Sequence, residues 1–197
     1  MVKELARKML LANELGSNPE LAYRFSQASE ESGWSFGVCQ FDTLHNWTAI
    51  RCLEACRFTP KELRMVLNKD SDNIAEINEK LMQHKEIIDE YDEEHIDKSF
   101  HWCSILLNTT DIHFDLSGLL AVTDYHNQFS FDRNGKLHKW LLEQKKNIVG
   151  FIVTVDTITD FKLQHTKWGK KRPDDVKRRA NNIKKILNNS KNKEVFV

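Results

Sequence analysis

Glycine and proline are scarce, 7 and 3 in 197 residues. So few turn formers cannot serve the many reversals of an all-β fold, and long stretches carry the 3.6-residue apolar period instead. The expectation is a mainly α fold (α+β) in one domain spanning 1–197. Long apolar runs are missing too. The best, Ile148 to Val155, contains Gly150 and falls far short of the roughly 20 residues a membrane helix needs. The opening MVKELARKML has charges inside its apolar stretch, so it reads as an amphipathic helix and not a signal peptide. Synthesis in the cytoplasm is expected, with any export by another route. The four cysteines (Cys39, Cys52, Cys56, Cys103) show no CxxC spacing, which points to reduced thiols. The eight histidines are scattered, and neither HExxH nor a Gly-rich phosphate loop occurs. No metal and no cofactor are expected.

Net charge is also absent, with 29 basic and 29 acidic side chains, but the balance is not local. From Lys162 to Val197 there are 12 Lys and Arg against 3 Asp and Glu, while Asp70 to Asp97 holds 11 acids and 2 Lys. A basic tail docking on an acidic body, or a basic surface meeting an anionic partner, would each produce this split.

The first helix should stop near Gly16, where GSNP supplies an end and a turn, which leaves Glu14 in its last turn. A negative side chain there opposes the helix macrodipole. Residues 20–29 are a short helix or an irregular connection. In GWSFGVCQFD, Gly33 and Gly37 flank alternating aromatic and small residues, the pattern of a small hairpin. A helix should begin at Leu44 to Asn46, and Thr59-Pro-Lys-Glu62 is a capping box with Pro at the first helical position. Helices are expected over 72–90 and 93–108 with their acids on a solvated face, then over 116–129 and 137–142. Residues 148–155 fit a core helix or a strand. Pro173 opens the last helix, whose basic run Lys177 to Lys185 should face solvent, and the NNSKNK end should fray.

Cleaving a glycosidic bond needs a protonated carboxylic acid beside the leaving oxygen and usually a second carboxylate. Glu14 and Asp42 suit these catalytic roles. An acid at a helix C-terminus, desolvated against Tyr23, Trp34 or Phe36, would have its pKa raised. Asp42 is equally suited to cap the helix that follows. Gln40 could satisfy backbone groups near the hairpin, and Ser26 and Ser35 are turn formers or sugar contacts.

The segment ANELGSNPELAYRFSQASEESGWSFGVCQFD resembles the active-site region of the lysozyme-like superfamily of phage endolysins, lytic transglycosylases and goose-type lysozymes. Glu14 matches that family's catalytic Glu at a helix end, and Gly37-Val38-Cys39-Gln40 its GLMQ-like segment, with Asp42 two residues on. The resemblance covers residues 5–50. It implies two helical lobes with a small β-hairpin, and cleavage of peptidoglycan glycan strands without a cofactor. Tyr23, Ser35 and Gln40 would then bind substrate. Leu21 to Ser29 lacks the second acid of phage-type lysozymes, so Asp42 replaces it or the enzyme works with one carboxylate, as lytic transglycosylases do. Glu31-Ser32-Gly33 looks like the Glu-Ser-Gly of transglycosylases, which makes Glu31 the rival acid.

Asp124-Tyr125-His126-Asn127-Gln128 ends an apolar helix. Tyr125, Asn127 and Gln128 suit a sugar's hydroxyl and acetamido groups, and the cluster equally suits fastening a helix end to the core. The expected groove lies between Glu14, residues 33–42 and this helix end. A Cys39 and His126 nucleophile pair is compatible with the residues but unsupported by their spacing. Around Trp168 in KWGKKRP, the basic segment 162–197 suits anionic cell-envelope polymers. The competing class is a nucleic-acid-binding module using the same cations, and a third is an interaction protein whose tail docks on its own acidic helices. Holin-type release and delivery by a secretion system both fit a chain without a signal peptide.

Overall fold

The structure is a computed structural model that describes residues 2–27 and 30–194. Among these it is mainly helical, with ten α-helices and one antiparallel pair of two-residue strands. The chain forms two compact units, one of residues 14–95 and one of residues 1–13 with 96–197.

Helix α1 (Val2–Leu15) ends where Gly16 and Ser17 take positive φ in succession, as the GSNP signal predicts. In the unit 14–95, Asn18 caps a 3₁₀ turn, Pro19–Tyr23. Strands β1 (Ser35–Phe36) and β2 (Phe41–Asp42) pair Ser35 with Asp42 and Phe36 with Phe41. Helix α2 is Trp47–Ala55, and α3 (Pro60–Leu67) carries the predicted capping box, Thr59 with Glu62. Lys80 of α4 (Ile74–Gln83) donates to both Glu62 oxygens at 2.8 and 2.7 Å. Burial alone would raise the Glu62 pKa, but this ammonium brings it down to about 2. The helix break expected near 91 falls at His84 instead, whose backbone leaves helical geometry while its Nδ1 meets the Lys80 carbonyl at 2.9 Å. Helix α5 (Lys85–Thr109) then runs unbroken.

In the other unit, Asp115 caps α6 (Leu116–Phe129), accepting from the Gly118 amide at 2.7 Å. Helix α7 is Lys136–Asn147. The segment 148–155 is neither core helix nor regular strand. Only Val153 pairs, in a parallel bridge to Phe114, while Ile148, Val149 and Ile152 are exposed. Helices α8 (Val155–His165), α9 (Lys167–Lys171) and α10 (Pro173–Glu194) complete the unit. Helix α10 packs on α6, α8 and α9 and buries Val176, Ala180 and Ile183, one stripe at helical spacing. It continues through NNSKNK, and residues 195–197 lie outside the described residues.

One basic residue of the run 177–185 does not face solvent. Arg179 is 4 % exposed because Asp124, 1 % exposed, draws it inward. The Arg179 Nη2 and Nε donate to the two Asp124 oxygens at 2.6 and 3.2 Å, Lys162 donates at 2.7 Å, and Asn13 donates at 2.9 Å. Burial works to raise the Asp124 pKa, but the two cations hold it well below the usual carboxylate range. This cluster ties α1, α6, α8 and α10 together. Removing its carboxylate strands two buried cations, so Asp124→Ala should lose about 3–5 kcal/mol in urea unfolding. Wild-type stability in that variant would refute the cluster's role.

Two histidines, His138 buried and His126 half-buried, add a pH dependence. Burial pushes His126 down despite Asp132, and pushes His138 down with help from Arg133. His126 Nδ1 accepts from the Phe131 amide at 2.8 Å, and His138 Nδ1 accepts from the Asn134 amide at 3.1 Å. Both rings are therefore held neutral in the fold, and the unfolded chain binds more protons below about pH 6.5. Their contribution is complete above that pH and declines as pH falls through it. The Tm should drop between pH 7.5 and 5.5, and less so in His138→Gln.

Candidate functional site

The segment singled out by sequence becomes a compact turn in the unit 14–95. The amides of Ser26 and Ser35 donate to each other's carbonyls at 2.9 and 2.7 Å, adding a third extended piece beside β1. Phe25 contacts Trp34 and Phe36 (5.4 and 5.5 Å between centroids), Phe36 contacts Phe41 (5.9 Å), and Phe41 contacts His95 (5.4 Å). These offset and edge contacts give a two-residue hairpin the packing it cannot supply alone.

The turn Gly37-Val38-Cys39-Gln40 is held from below by one side chain. Asp92 of α5, 0 % exposed, accepts from the amides of Val38 and Cys39 at 2.7 and 2.9 Å. Its closeness makes glycine necessary at 37, where φ is +76° and an added Cβ would stand 2.9 Å from the Asp92 carboxylate. Gln40 is half-buried with φ +55°, a left-handed conformation that is uncommon for a residue with a side chain. Its Oε1 accepts from the Ser26 hydroxyl at 2.9 Å, and its Nε2 donates to the Gly37 carbonyl at 2.9 Å. Gln40 therefore latches the turn to the neighbouring extended segment.

Asp42 does not cap α2. That role falls to Asn46, whose side chain accepts from the Thr48 amide at 2.9 Å, because the helix starts at Trp47. The Asp42 Oδ1 instead gathers the amides of Gly33 (3.1 Å), Leu44 (2.8 Å) and His45 (3.3 Å), and its Oδ2 meets His45 Nδ1 at 3.2 Å. Partial burial works to raise its pKa, but the Leu44 amide, the His45 ring and the Gly33 amide outweigh burial and lower it. Asp42 is an ionised carboxylate at neutral pH. It suits orienting water or shielding positive charge, and not donating a proton.

Glu14 is half-buried in the last turn of α1, and Glu31 is exposed in the turn at 30–32. The two carbonyls before Glu14 are engaged: Arg178 donates to those of Ala12 and Asn13 at 3.2 and 2.9 Å, and Arg179 to that of Asn13 at 3.3 Å. Cations on these carbonyls offset the helix-end partial charge that an acid at this position opposes.

The other expected substrate contacts carry internal duties. Tyr23 is buried, and its hydroxyl donates to the Asp89 carboxylate at 3.1 and 3.0 Å. Ser35 is buried within the hairpin ladder. Tyr125, Asn127 and Gln128 belong to the other unit. The Tyr125 ring packs on Phe129 and Phe161, and burial together with Asp132 raises its pKa. Gln128 accepts from Lys162 at 2.8 Å, and Asn127 is half-buried. The four cysteines are buried thiols, with burial pushing that of Cys103 up to about 12. Among the described residues no group of three His, Cys, Asp or Glu is placed to hold a metal ion.

Asp92 is the residue that sequence reasoning missed, since the acids of 70–97 read as a solvated face. The signal was its spacing: Ile88, Asp92, Ile96, Ser99, Cys103 and Leu106 recur at intervals of three and four, and all are buried. A carboxylate inside such a stripe must have partners. Asp92→Ala should cost about 1–3 kcal/mol and accelerate hydrogen exchange at the Val38 and Cys39 amides. Unchanged exchange there would show that the turn holds without it.

No family model, curated protein or solved structure matches the chain. Function therefore rests on the chemistry of the site itself.

Proposed function

We propose that the protein cleaves glycosidic bonds in peptidoglycan glycan strands, as a muramidase or lytic transglycosylase of lysozyme-like fold, with Glu14 as the general acid. One observation carries the reading. Gln40, in the segment that resembles the family's GLMQ-like motif, is held left-handed in a turn to which α5 devotes a buried carboxylate. Sparsely populated backbone of this kind persists where the surroundings over-determine it, and it clusters at functional sites. In the same unit, Glu14 at its helix end and Asp42, ionised among its amide donors, supply two carboxylates.

Glu14 protonates the glycosidic oxygen as the bond to the anomeric carbon breaks. Asp42 shields the positive charge that develops on the sugar or orients the attacking water. If the sugar's own hydroxyl attacks instead of water, an anhydro end results. Glu14 is preferred to Glu31 because it matches the helix-end position of the resemblance and is half-buried, while Glu31 is exposed.

A second feature suits the same role. Lys167, Lys170, Lys171 and Arg172 are exposed around Trp168, with the Arg172 guanidinium 5.9 Å from the indole centre. This cluster would hold the enzyme on anionic envelope polymers after holin-type release or secretion. Among the described residues no helix is long and apolar enough to cross a membrane. The nucleic-acid alternative draws on the same cations, although Arg178, Arg179 and Lys184 are engaged by Asp175, Asp124 and Asp156.

Glu14→Gln should keep the wild-type circular dichroism and lose about 10²–10⁴-fold in release of soluble fragments from purified peptidoglycan. Glu31→Gln should cleave normally. Mass spectra showing reducing ends identify a hydrolase, and anhydro ends a transglycosylase. Full activity in Glu14→Gln overturns the assignment. A salt-sensitive DNA or RNA mobility shift without glycan products overturns the enzyme reading.

A further inference from the structure

The connection 130–135 between α6 and α7 holds its backbone in an uncommon shape. Ser130 and Asn134 have φ of +59° and +65°, a left-handed region sparsely used outside glycine. Such a conformation persists where contacts from outside impose it. Those contacts come from three helices. His126, in the last turn of α6, accepts from the Phe131 amide through Nδ1 at 2.8 Å, and His138, in the first turn of α7, accepts from the Asn134 amide through Nδ1 at 3.1 Å. Trp102 of α5 donates its indole N–H to the Phe131 carbonyl at 2.7 Å. Phe131 itself is fully buried and meets the His138 ring edge-on, 6.1 Å between centroids.

Both ring contacts run in the same direction: the backbone amide donates and the imidazole accepts. An imidazole nitrogen accepts only while it carries no proton. Protonating either ring therefore sets N–H against N–H and turns a tether into a repulsion. His138 has nowhere to place a second proton, since the residue is 2 % exposed and its Nε2 has no hydrogen-bond partner among the described residues. A buried imidazolium without a partner is costly. The charges acting on the rings belong to the connection itself. Asp132 attracts a cation at His126, where burial outweighs it, and Arg133, which also donates to the Thr109 hydroxyl of α5 at 3.2 Å, repels one at His138.

We infer that the connection 130–135 is a pH-operated latch, held closed by neutral His126 and His138 through the Phe131 and Asn134 amides and released when the rings are protonated, while α6 and α7 stay folded. Loss of overall stability in acid requires only that the rings be neutral in the fold. The latch places the first opening in this connection. In the open form each ring takes up its proton near the ordinary histidine pKa of about 6.5, and in the closed form only at lower pH. Closure is thus complete above about pH 6.5 and is lost as pH falls through and below it. Release relaxes the backbone at 130 and 134 and uncovers Phe131 next to Phe129, which is already 39 % exposed, and near Trp102, 40 % exposed. Acid thereby enlarges an apolar surface on the unit of residues 1–13 and 96–197, and this holds with or without glycan cleavage.

The test is amide hydrogen exchange of the whole protein, read by NMR at pH 7.5 and 5.5 and corrected for the intrinsic exchange rate. Protection of the Phe131 and Asn134 amides should fall at least about fivefold at the lower pH. The buried α6 residues Leu120 and Val122 should stay at least about tenfold better protected than these two at both pH values, because the opening is local. The Trp102 indole N–H resonance should shift with the same midpoint as the His126 and His138 rings. In the double variant His126→Asn with His138→Asn, whose side-chain oxygens accept but do not titrate, the pH dependence at Phe131 and Asn134 should vanish. A change of less than about twofold at these amides, or protection there equal to that of Leu120 and Val122, overturns the latch. So does a Trp102 indole indifferent to pH, or a double variant as pH-sensitive as the wild type.

Discussion

The carboxylate of Asp92 is the constraint on which the candidate site depends. It is fully buried, it accepts the Val38 and Cys39 amides, and it stands where any residue but glycine at 37 would collide with it. It holds the turn, in which Gln40 has a left-handed backbone and its side-chain amide bonds the Ser26 hydroxyl and the Gly37 carbonyl. Without that support, a hairpin of two-residue strands would rest on its aromatic contacts and its backbone bonds to Ser26 and Ala22.

Asp124 does for the other unit what Asp92 does for the hairpin. Each is an acid taken out of water and matched with donors, but the donors differ in kind. Asp92 receives neutral backbone amides and so orders a turn, while Asp124 receives an ammonium and a guanidinium and so joins helices. A buried charge with partners of this quality specifies an arrangement, because alternatives would leave it unpaired. Part of the basic excess of the chain's last segment thus belongs to the interior of the fold, and the cations around Trp168 remain on the surface.

Asp42 and Glu14 sit in different surroundings. Asp42 is surrounded by donors that favour its charged form. Glu14 is half-buried at a helix end whose preceding carbonyls are engaged by arginines.

Local chemistry was legible in the sequence. The stop at Gly16, the capping box at Thr59, the hairpin between Gly33 and Asp42 and the span of α6 all follow from signals within a few residues of one another. Such signals act through φ restriction and end-group hydrogen bonds, which need no distant partner. What the sequence could not say was which polar side chains would be taken inside. Asp92 and Arg179 read as surface charges, Asp42 suited a helix cap as well as a catalytic role, and 148–155 fitted a core helix or a strand. Three were decided by groups far along the chain: the hairpin amides for Asp92, the Asp124 carboxylate for Arg179 and the bridge to Phe114 for Val153; Asp42 was decided nearby, by the start of α2 at Trp47. Composition and periodicity determined that the chain is helical and where its turns fall. Only the tertiary structure determined which charges are buried, because burial of a charge depends on partners that adjacent sequence does not contain.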